Sequence, residues 1–294
     1  MNTISFSGGL GNQLFQWAAA HSGSEPPLYE TDLHLYSDKS DRKFELSDLL
    51  RNCKHRNFSK CKTKKYSHTR LLESLLHRGV AISVLQKFGF LNDGNYENVL
   101  INPHSNQHNY SHNFYLSGLF QDANLVNSVY STIKAELDFT LIETAKGLAS
   151  RINIPDRYLS VHVRRGDYPI SKLHSEAIGQ LDDQYFINLV EGTNLPILIL
   201  TENESDVVDL CAVVQPSCVL TKKQTNSWET LVLMANAEVS VGSNSTLSWW
   251  GAYLATKKGA LSLLPSQWSQ WKTYENSKLH LESVRYEPSS WKLG

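Results

Sequence analysis

The sequence predicts an α/β protein of parallel sheets with helices on both faces, arranged as two layer domains. Three observations carry that expectation. The chain opens on a short strand, a glycine turn and a helix; its second half alternates apolar strands with helical stretches; and its 294 residues suffice for one large or two medium cores.

At the start, Thr3 to Ser7 reads as a strand, Gly8-Gly9-Leu10-Gly11-Asn12 as a loop and Gln13 to Ala20 as a helix. The glycine spacing does not fit the dinucleotide fingerprint. These glycines either bring a ligand close to backbone and helix terminus or serve a tight turn. Residues 38–78 are rich in Lys, Arg, His and Ser, centred on RNCKHRNFSKCKTKKYSHTR. A solvated helical face or loop accounts for such a run, and an anionic partner is the alternative. Residues 92–112, full of Asn between Phe90 and Phe114, read as a long loop near a cleft. A helix over Asp122 to Ala149 leads to Arg151-Ile152-Asn153-Ile154-Pro155, which places the domain boundary there: 1–150 and 151–294.

The second half predicts strands at Tyr158–Val163, Ile197–Leu200, Cys218–Leu220, Val239–Gly242 and Gly259–Leu264. Helices are expected over Asp182–Leu195, Asp206–Val214, Glu229–Ala237 and Ser245–Ala255. This alternation is that of a parallel sheet, whose ligands bind beyond the carboxyl ends of the strands.

Composition excludes several classes. Lys plus Arg (28) balances Asp plus Glu (29), so no global field draws a polyanion, and nucleic acid is not expected. No run approaches 18 consecutive apolar residues, and MNTISFSGGLGNQLFQ lacks the basic leader and apolar core of a signal peptide. A soluble, intracellular protein is the expectation. Cys53, Cys61, Cys211 and Cys218 match no zinc spacing and read as reduced thiols.

The segment Tyr158-Leu-Ser-Val-His-Val-Arg-Arg-Gly-Asp-Tyr168 carries the clearest chemistry. Alternation puts Leu159, Val161 and Val163 on one face and His162 and Arg164 on the other. Two adjacent arginines at a strand end, followed by glycine, do not read as core. Their guanidinium groups suit a diphosphate, the alternative being ion pairs with nearby acids. A second cluster is Val241-Gly-Ser-Asn-Ser-Thr-Leu-Ser-Trp-Trp-Gly251, where Ser243, Asn244 and Ser245 form a polar turn and Ser245 or Thr246 caps the next helix. The N–H groups of that first turn are another anion site, and Trp249 and Trp250 read as packing residues. No metal is expected: there is no DxD, no HExxH and no ligand-spaced His/Cys/Asp group, while Asp182-Asp183 reads as a helix cap. Glu202 and Glu229 stand singly and read as cap or surface groups, with a cleft role as the alternative.

GGLGNQLFQ at 8–16, HVRRGDY at 162–168 and SNSTLSWWGAYLA at 243–255 together resemble the α-1,2-fucosyltransferase family, glycosyltransferase family 11, in order over nearly the whole chain. The resemblance implies a GT-B fold, two Rossmann-like domains facing a central cleft. The N-terminal domain is then the acceptor side and the C-terminal domain the GDP-sugar side, with the last helix packing back on the N-terminal domain. It implies inverting transfer of fucose from GDP-fucose to a galactoside 2-hydroxyl, with no cofactor and no divalent metal. By position, Arg164 corresponds to the arginine expected on the donor diphosphate, supported by His162 and Arg165. Ser243, Asn244, Ser245 and Thr246 match the polar loop on the GDP side, and Gly8, Gly9, Gly11, Asn12 and Gln13 the loop near donor and acceptor. LTENESD at 200–206 departs from the family's usual Phe-Ser-Asp-Asp, which weakens a substrate-binding role for Glu202. Asp167, Glu202 and His162 are candidates for general base. The partners implied are GDP-fucose and a galactose-terminated oligosaccharide of an O-antigen or related polysaccharide. The implied location is cytoplasmic, with the basic run 51–70 available for peripheral contact with the inner membrane face. Alternatives are a related transferase with another GDP-deoxysugar or linkage, and a noncatalytic glycan-binding protein.

Overall fold

A computed structural model describes residues 2–22, 29–32, 43–52, 58–60, 115–116, 118–165, 179–269, 272–273 and 277–291. The chain divides into two compact units, Met1–Asp138 and Phe139–Gly294. The basic run beyond Lys60 and the Asn-rich stretch 92–112 lie outside the described residues.

In the first unit, β1 (Asn2–Ser5) is followed by helix α1 (Leu10–Ala20), then β2 (Tyr29–Asp32), α2 (Ser47–Asn52), β3 (Phe58–Lys60) and β4 (Tyr115–Leu116). The strands form one parallel sheet in the order β3-β2-β1-β4. Helix α1 has no polar face: Leu14, Phe15, Trp17 and Ala18 are fully buried, and so are Gln13 and Gln16. It begins at Leu10, earlier than the glycines suggest, because the Leu10 N–H donates to Glu45 Oε2 at 3.1 Å. That acceptor lies 35 residues away and has no local signature.

Helix α3 (Ala123–Ala149) matches its expected limits within a residue. The unit boundary falls inside it, between Asp138 and Phe139, where the sequence suggested 150. The helix therefore belongs in part to each unit.

The second unit holds β5 (Leu159–Val163), α4 (Asp183–Val190), β6 (Ile197–Thr201), a 3₁₀ turn over Glu204–Val207, α5 (Val208–Val214), β7 (Cys218–Leu220), α6 (Ser227–Asn236), β8 (Val239–Val241), α7 (Thr246–Thr256) and β9 (Leu261–Pro265). A small antiparallel pair, β10 (Gln267–Ser269) and β11 (Lys272–Thr273), precedes β12 (Arg285–Glu287). Six of these strands form one parallel sheet in the order β7-β6-β5-β8-β9-β12. That is the doubly wound 3-2-1-4-5-6 order, with its reversal between β5 and β8. The α/β class and parallel Rossmann-like sheets agree with the sequence. The edge strand β12, Arg-Tyr-Glu, carries no apolar run and was not legible. A final helix was expected and is not found: among the described residues 277–291 hold turns, β12 and a bridge from Trp291 to Leu181 within this same unit.

The two faces of this sheet pack differently. On one, Leu159, Val161 and Val163 meet Tyr185, Phe186 and Val190 of α4 and Leu210 of α5. On the other, Ser160, Ser240 and Ser262 stand side by side across β5, β8 and β9 in direct register, all buried. Ser262 Oγ donates to the Ala252 carbonyl of α7 at 3.2 Å. Small side chains on this face let α7 lie close and bury Trp249, Trp250 and Tyr253 completely. Trp249 stacks on Tyr253 at 5.2 Å and donates to the Leu279 carbonyl at 2.7 Å, so both tryptophans are packing residues. Cys211 and Cys218 are free thiols, while Cys53 and Cys61 lie outside the described residues. No helix among the described residues is long and apolar enough to cross a membrane.

Helix α7 also approaches α6 closely. A Cβ on Gly251 would lie 2.7 Å from Met234 Cβ and 2.8 Å from its sulfur. Alanine is the better helix former by about 1 kcal/mol, but overpacking costs about 1–3 kcal/mol. Gly251→Ala is therefore expected to lower stability by up to about 2 kcal/mol on balance, read by urea denaturation, with Met234→Ala partly relieving the clash. A stabilised Gly251→Ala protein would show that the helix pair has slack.

Candidate active site

The site residues of the second unit meet at the carboxyl ends of β5, β6 and β8, at the point where strand order reverses. The β5–β8 register runs Leu159 to Val239, Ser160 to Ser240 and Val161 to Val241, and then β8 ends. Two residues further on, the backbone of β5 still needs partners. Ser243 supplies them with its side chain: Oγ donates to the His162 carbonyl at 2.7 Å and accepts the Arg164 N–H at 3.0 Å. These are the two groups that a ladder partner opposite Val163 would bind in a parallel pair. The Ser243 hydroxyl thus completes the ladder while its backbone turns away to begin α7.

Helix α7 starts at once. Ser245 is its cap, accepting the Leu247 N–H at 3.3 Å, and Thr246 opens the first turn half-buried. Asn244 is buried, its amide donating to the carbonyls of Gly179 and Trp268 at 3.4 Å each. The positive end of the helix dipole therefore opens beside the end of β5. Gly242 is dictated by close approach: a Cβ there would meet Leu264 Cδ2 at 2.6 Å and Ser248 Cβ at 2.8 Å.

The two arginines separate. Arg164, partly exposed, pairs with Glu202, which follows β6. Glu202 is thus neither a cap nor an isolated surface acid. Arg165 is 5% exposed and continues the Leu159–Val161–Val163 face into the core, which corrects the expectation that neither arginine is core. Its guanidinium bonds Asp183 at 2.5 Å, the Leu181 carbonyl at 3.3 Å and the Asp206 carbonyl, and sits 6.0 Å from the Phe186 ring centre. Period-two alternation held the signal, since 165 has the parity of 163. Arg165 ties the end of β5 to the start of α4 and to the turn at Asp206. The acidic pair divides too: Asp182 caps α4 through the Tyr185 N–H at 3.0 Å, while Asp183 holds Arg165. Glu229 closes a capping box with Asn226 and pairs with Arg151, as a cap residue should.

His162 is buried, and its Nδ1 lies 2.7 Å from Ser248 Oγ. Burial, with the Arg164 charge adding, pushes its pKa down to about 3. Asp167 lies outside the described residues. Among the described residues no group of three or more His, Cys, Asp or Glu is placed to hold a metal ion. A cavity of about 450 Å³ opens by the first residues of β5, β8, β9 and β12, which are Leu159, Val239, Leu261 and Arg285, and holds none of the candidate residues.

In the first unit Gly8 has φ +74°, Gly9 precedes α1 as its cap, Gly11 is buried, and Asn12 accepts from Gln121 Nε2 at 3.1 Å. Gln13 was expected to bind substrate, but its amide is spent within the protein. Nε2 donates to the carbonyls of Gly8 and Lys43 at 2.9 Å each, and Oε1 accepts the Glu45 N–H at 2.8 Å. Gln16, missed in the sequence, does similar work on Ser7 and Gly118. These glutamines shape the glycine loop.

Two outcomes are expected. Arg165→Met leaves Asp183 without its cation and is expected to cost about 2–3 kcal/mol in a denaturation experiment, below the range for fully buried pairs because Asp183 is partly exposed. His162 titrates near 6.5 when unfolded and about 3 when folded, so between those values the unfolded chain binds the extra proton. Stability is lost as pH falls through that window, by up to about 1.4 kcal/mol per pH unit. The acid side of the stability curve should flatten in His162→Asn; an unchanged slope would mean that the native imidazole titrates normally.

The sequence profile of glycosyl transferase family 11 matches residues 1–282. Over 289 residues the chain is 27% identical to an O-antigen biosynthesis glycosyltransferase, WbnK, of Escherichia coli, covering 89% of this chain and 93% of that one. Over 155 residues it is 27% identical to an alpha-1,2-colitosyltransferase of Escherichia coli, covering 49% of each chain. Among solved structures, POFUT1 in complex with GDP-fucose is similar with a TM-score of 0.43 at 10% identity, over 86% of this chain and 95% of that one. A family 9 glycosyl transferase from Veillonella parvula has a TM-score of 0.42 at 10% identity, over 90% of this chain and 80% of that one. With its profile spanning all but the last residues, this chain belongs to glycosyl transferase family 11.

Proposed function

We propose that the protein transfers L-fucose from GDP-fucose, with inversion, to the 2-hydroxyl of a β-galactoside in an O-antigen or related surface glycan. The observation that carries this reading is Arg164: it stands at the carboxyl end of β5, at the strand-order reversal, beside the N-terminus of α7. A guanidinium and a helix terminus at one point suit a diphosphate, and they suit it more as charge grows on the departing GDP. Glu202 bonds the guanidinium and holds its orientation.

The chemistry is a direct displacement. The acceptor hydroxyl attacks the fucose anomeric carbon as the bond to the β-phosphate breaks, and the hydroxyl proton passes to a base. Buried and neutral, His162 is too weak a base for that step, and Glu202 is engaged with Arg164. This leaves Asp167 as the candidate from the motif. Arginine and helix dipole supply the positive charge that a metal supplies elsewhere, so divalent ions are not required in this proposal. A cytoplasmic site of action, peripheral to the inner membrane face, belongs to the same reading.

A second donor is favoured by one of the relatives, whose name specifies colitose. Colitose is fucose without its 3-hydroxyl, so donor choice turns on whether the pocket hydrogen-bonds that group. GDP release in EDTA, with GDP-fucose and GDP-colitose against a panel of β-galactosyl disaccharides, separates the two. Fucose turnover giving an α-1,2 product is the expected outcome; colitose turnover alone would replace the donor, and binding of glycan without turnover of any GDP-sugar would leave a noncatalytic lectin. In the same assay Arg164→Ala is expected to lose about 10²–10³ in kcat while remaining folded. A near-normal rate in that variant would sink the diphosphate role.

A further inference from the structure

Ser248 lies on the third residue of α7, is 1% exposed, and its hydroxyl joins three elements. It accepts the Ser243 N–H at 3.0 Å and lies 2.7 Å from Nδ1 of His162 on β5. The backbone N–H can only donate, so it occupies one oxygen lone pair. The hydroxyl proton then has a single acceptor among the bonds that Ser248 makes, the imidazole Nδ1. For that bond to form, Nδ1 must carry a lone pair and the ring proton must sit on Nε2.

We propose that Ser248 is a positioning residue that locks His162 as the neutral Nε2–H tautomer, making the ring a fixed hydrogen-bond donor at the diphosphate site. The consequence is a division of labour at one strand end. Arg164 brings charge, His162 brings a neutral donor on the same face of β5, and Ser248 sets the direction of that donor without touching ligand. The same hydroxyl steadies Ser243, whose own Oγ holds the Arg164 N–H. Losing it would loosen both donors together. Protonating Nδ1 would reverse this bond onto the second lone pair of Ser248 Oγ and take from the hydroxyl proton the acceptor it has in the imidazole, which opposes the imidazolium independently of burial.

This inference rests on the GDP-sugar reading for its functional part and on hydrogen bonding alone for the tautomer, and the two are tested separately. In protein carrying ¹⁵N-histidine, the His162 signal is identified by its absence from His162→Asn. The expected result at pH 7 is an unprotonated Nδ1 and a protonated Nε2; a protonated Nδ1, or an averaged pair of tautomers, overturns the proposal whatever the enzyme's substrate. Ser248→Ala is then expected to release the ring into tautomer exchange. It should also weaken GDP binding, measured by calorimetry, about five- to tenfold, as loss of one hydrogen bond does. The KM for donor should rise accordingly, with the KM for acceptor unchanged. Tautomer and GDP affinity both unaffected in Ser248→Ala would remove the positioning role. Failure of wild-type protein to bind GDP would instead count against the donor assignment, with the tautomer result still standing. Should Ser248→Ala not fold, the wild-type spectrum alone decides the proton's position.

Discussion

One hydroxyl group decides how the carboxyl end of the larger sheet is built. Strand β8 stops at Val241 while β5 runs on to Val163, and the backbone of the longer strand would otherwise present an unfilled N–H and carbonyl at the strand-order reversal. Ser243 fills both with its side chain, in the place where the next β8 residue would pair. Because a side chain does this work, the main chain is released to turn and to start α7 within three residues. Helix terminus and strand end therefore arrive at one spot, and Arg164 emerges between them.

The alternation of a strand then separates two like side chains by function. Arg164 leaves β5 on the face shared with His162 and takes Glu202, while Arg165 continues the apolar face and is drawn into a buried bond with Asp183. One cation stands at the carboxyl end of the sheet and the other ties the end of β5 to Leu181, Asp183 and Asp206. Charge alone would not distinguish them; their parity does. A similar division runs through the N-terminal glutamines, whose amides are consumed in holding the glycine turn against residues 43–45 and 118.

What could be read from the sequence follows from how local each signal is. The strands β5 to β9 and their helices were legible because short apolar runs alternate with longer helical stretches, and Asp182 and Ser245 lie where caps belong. The motif around Arg164 and Ser243 was legible as a strand end followed by a polar turn and a helix cap, and the fold brings those two segments together. Its internal bonds were not legible, since Ser248 reads as a neutral helix residue until β5 is folded against it, and Glu45 caps α1 from 35 residues away. Strand β12 escaped notice because an edge strand of Arg-Tyr-Glu has no hydrophobic pattern, and the expected closing helix does not occur among the described residues. The separation of the two units inside α3 leaves no mark either, since a continuous helix has no sequence break to show.

The row of Ser160, Ser240 and Ser262 sets a thickness. These three side chains are small and buried, and Ser262 bonds the Ala252 carbonyl of α7, so the distance between sheet and helix is a dimension set in part by this row. The same helix begins beside the end of β5, so a change in that distance also moves its N-terminus. Chains that share the Ser243–Thr246 turn but carry bulkier side chains in that row would raise the helix, and would hold the same motif over a differently proportioned site.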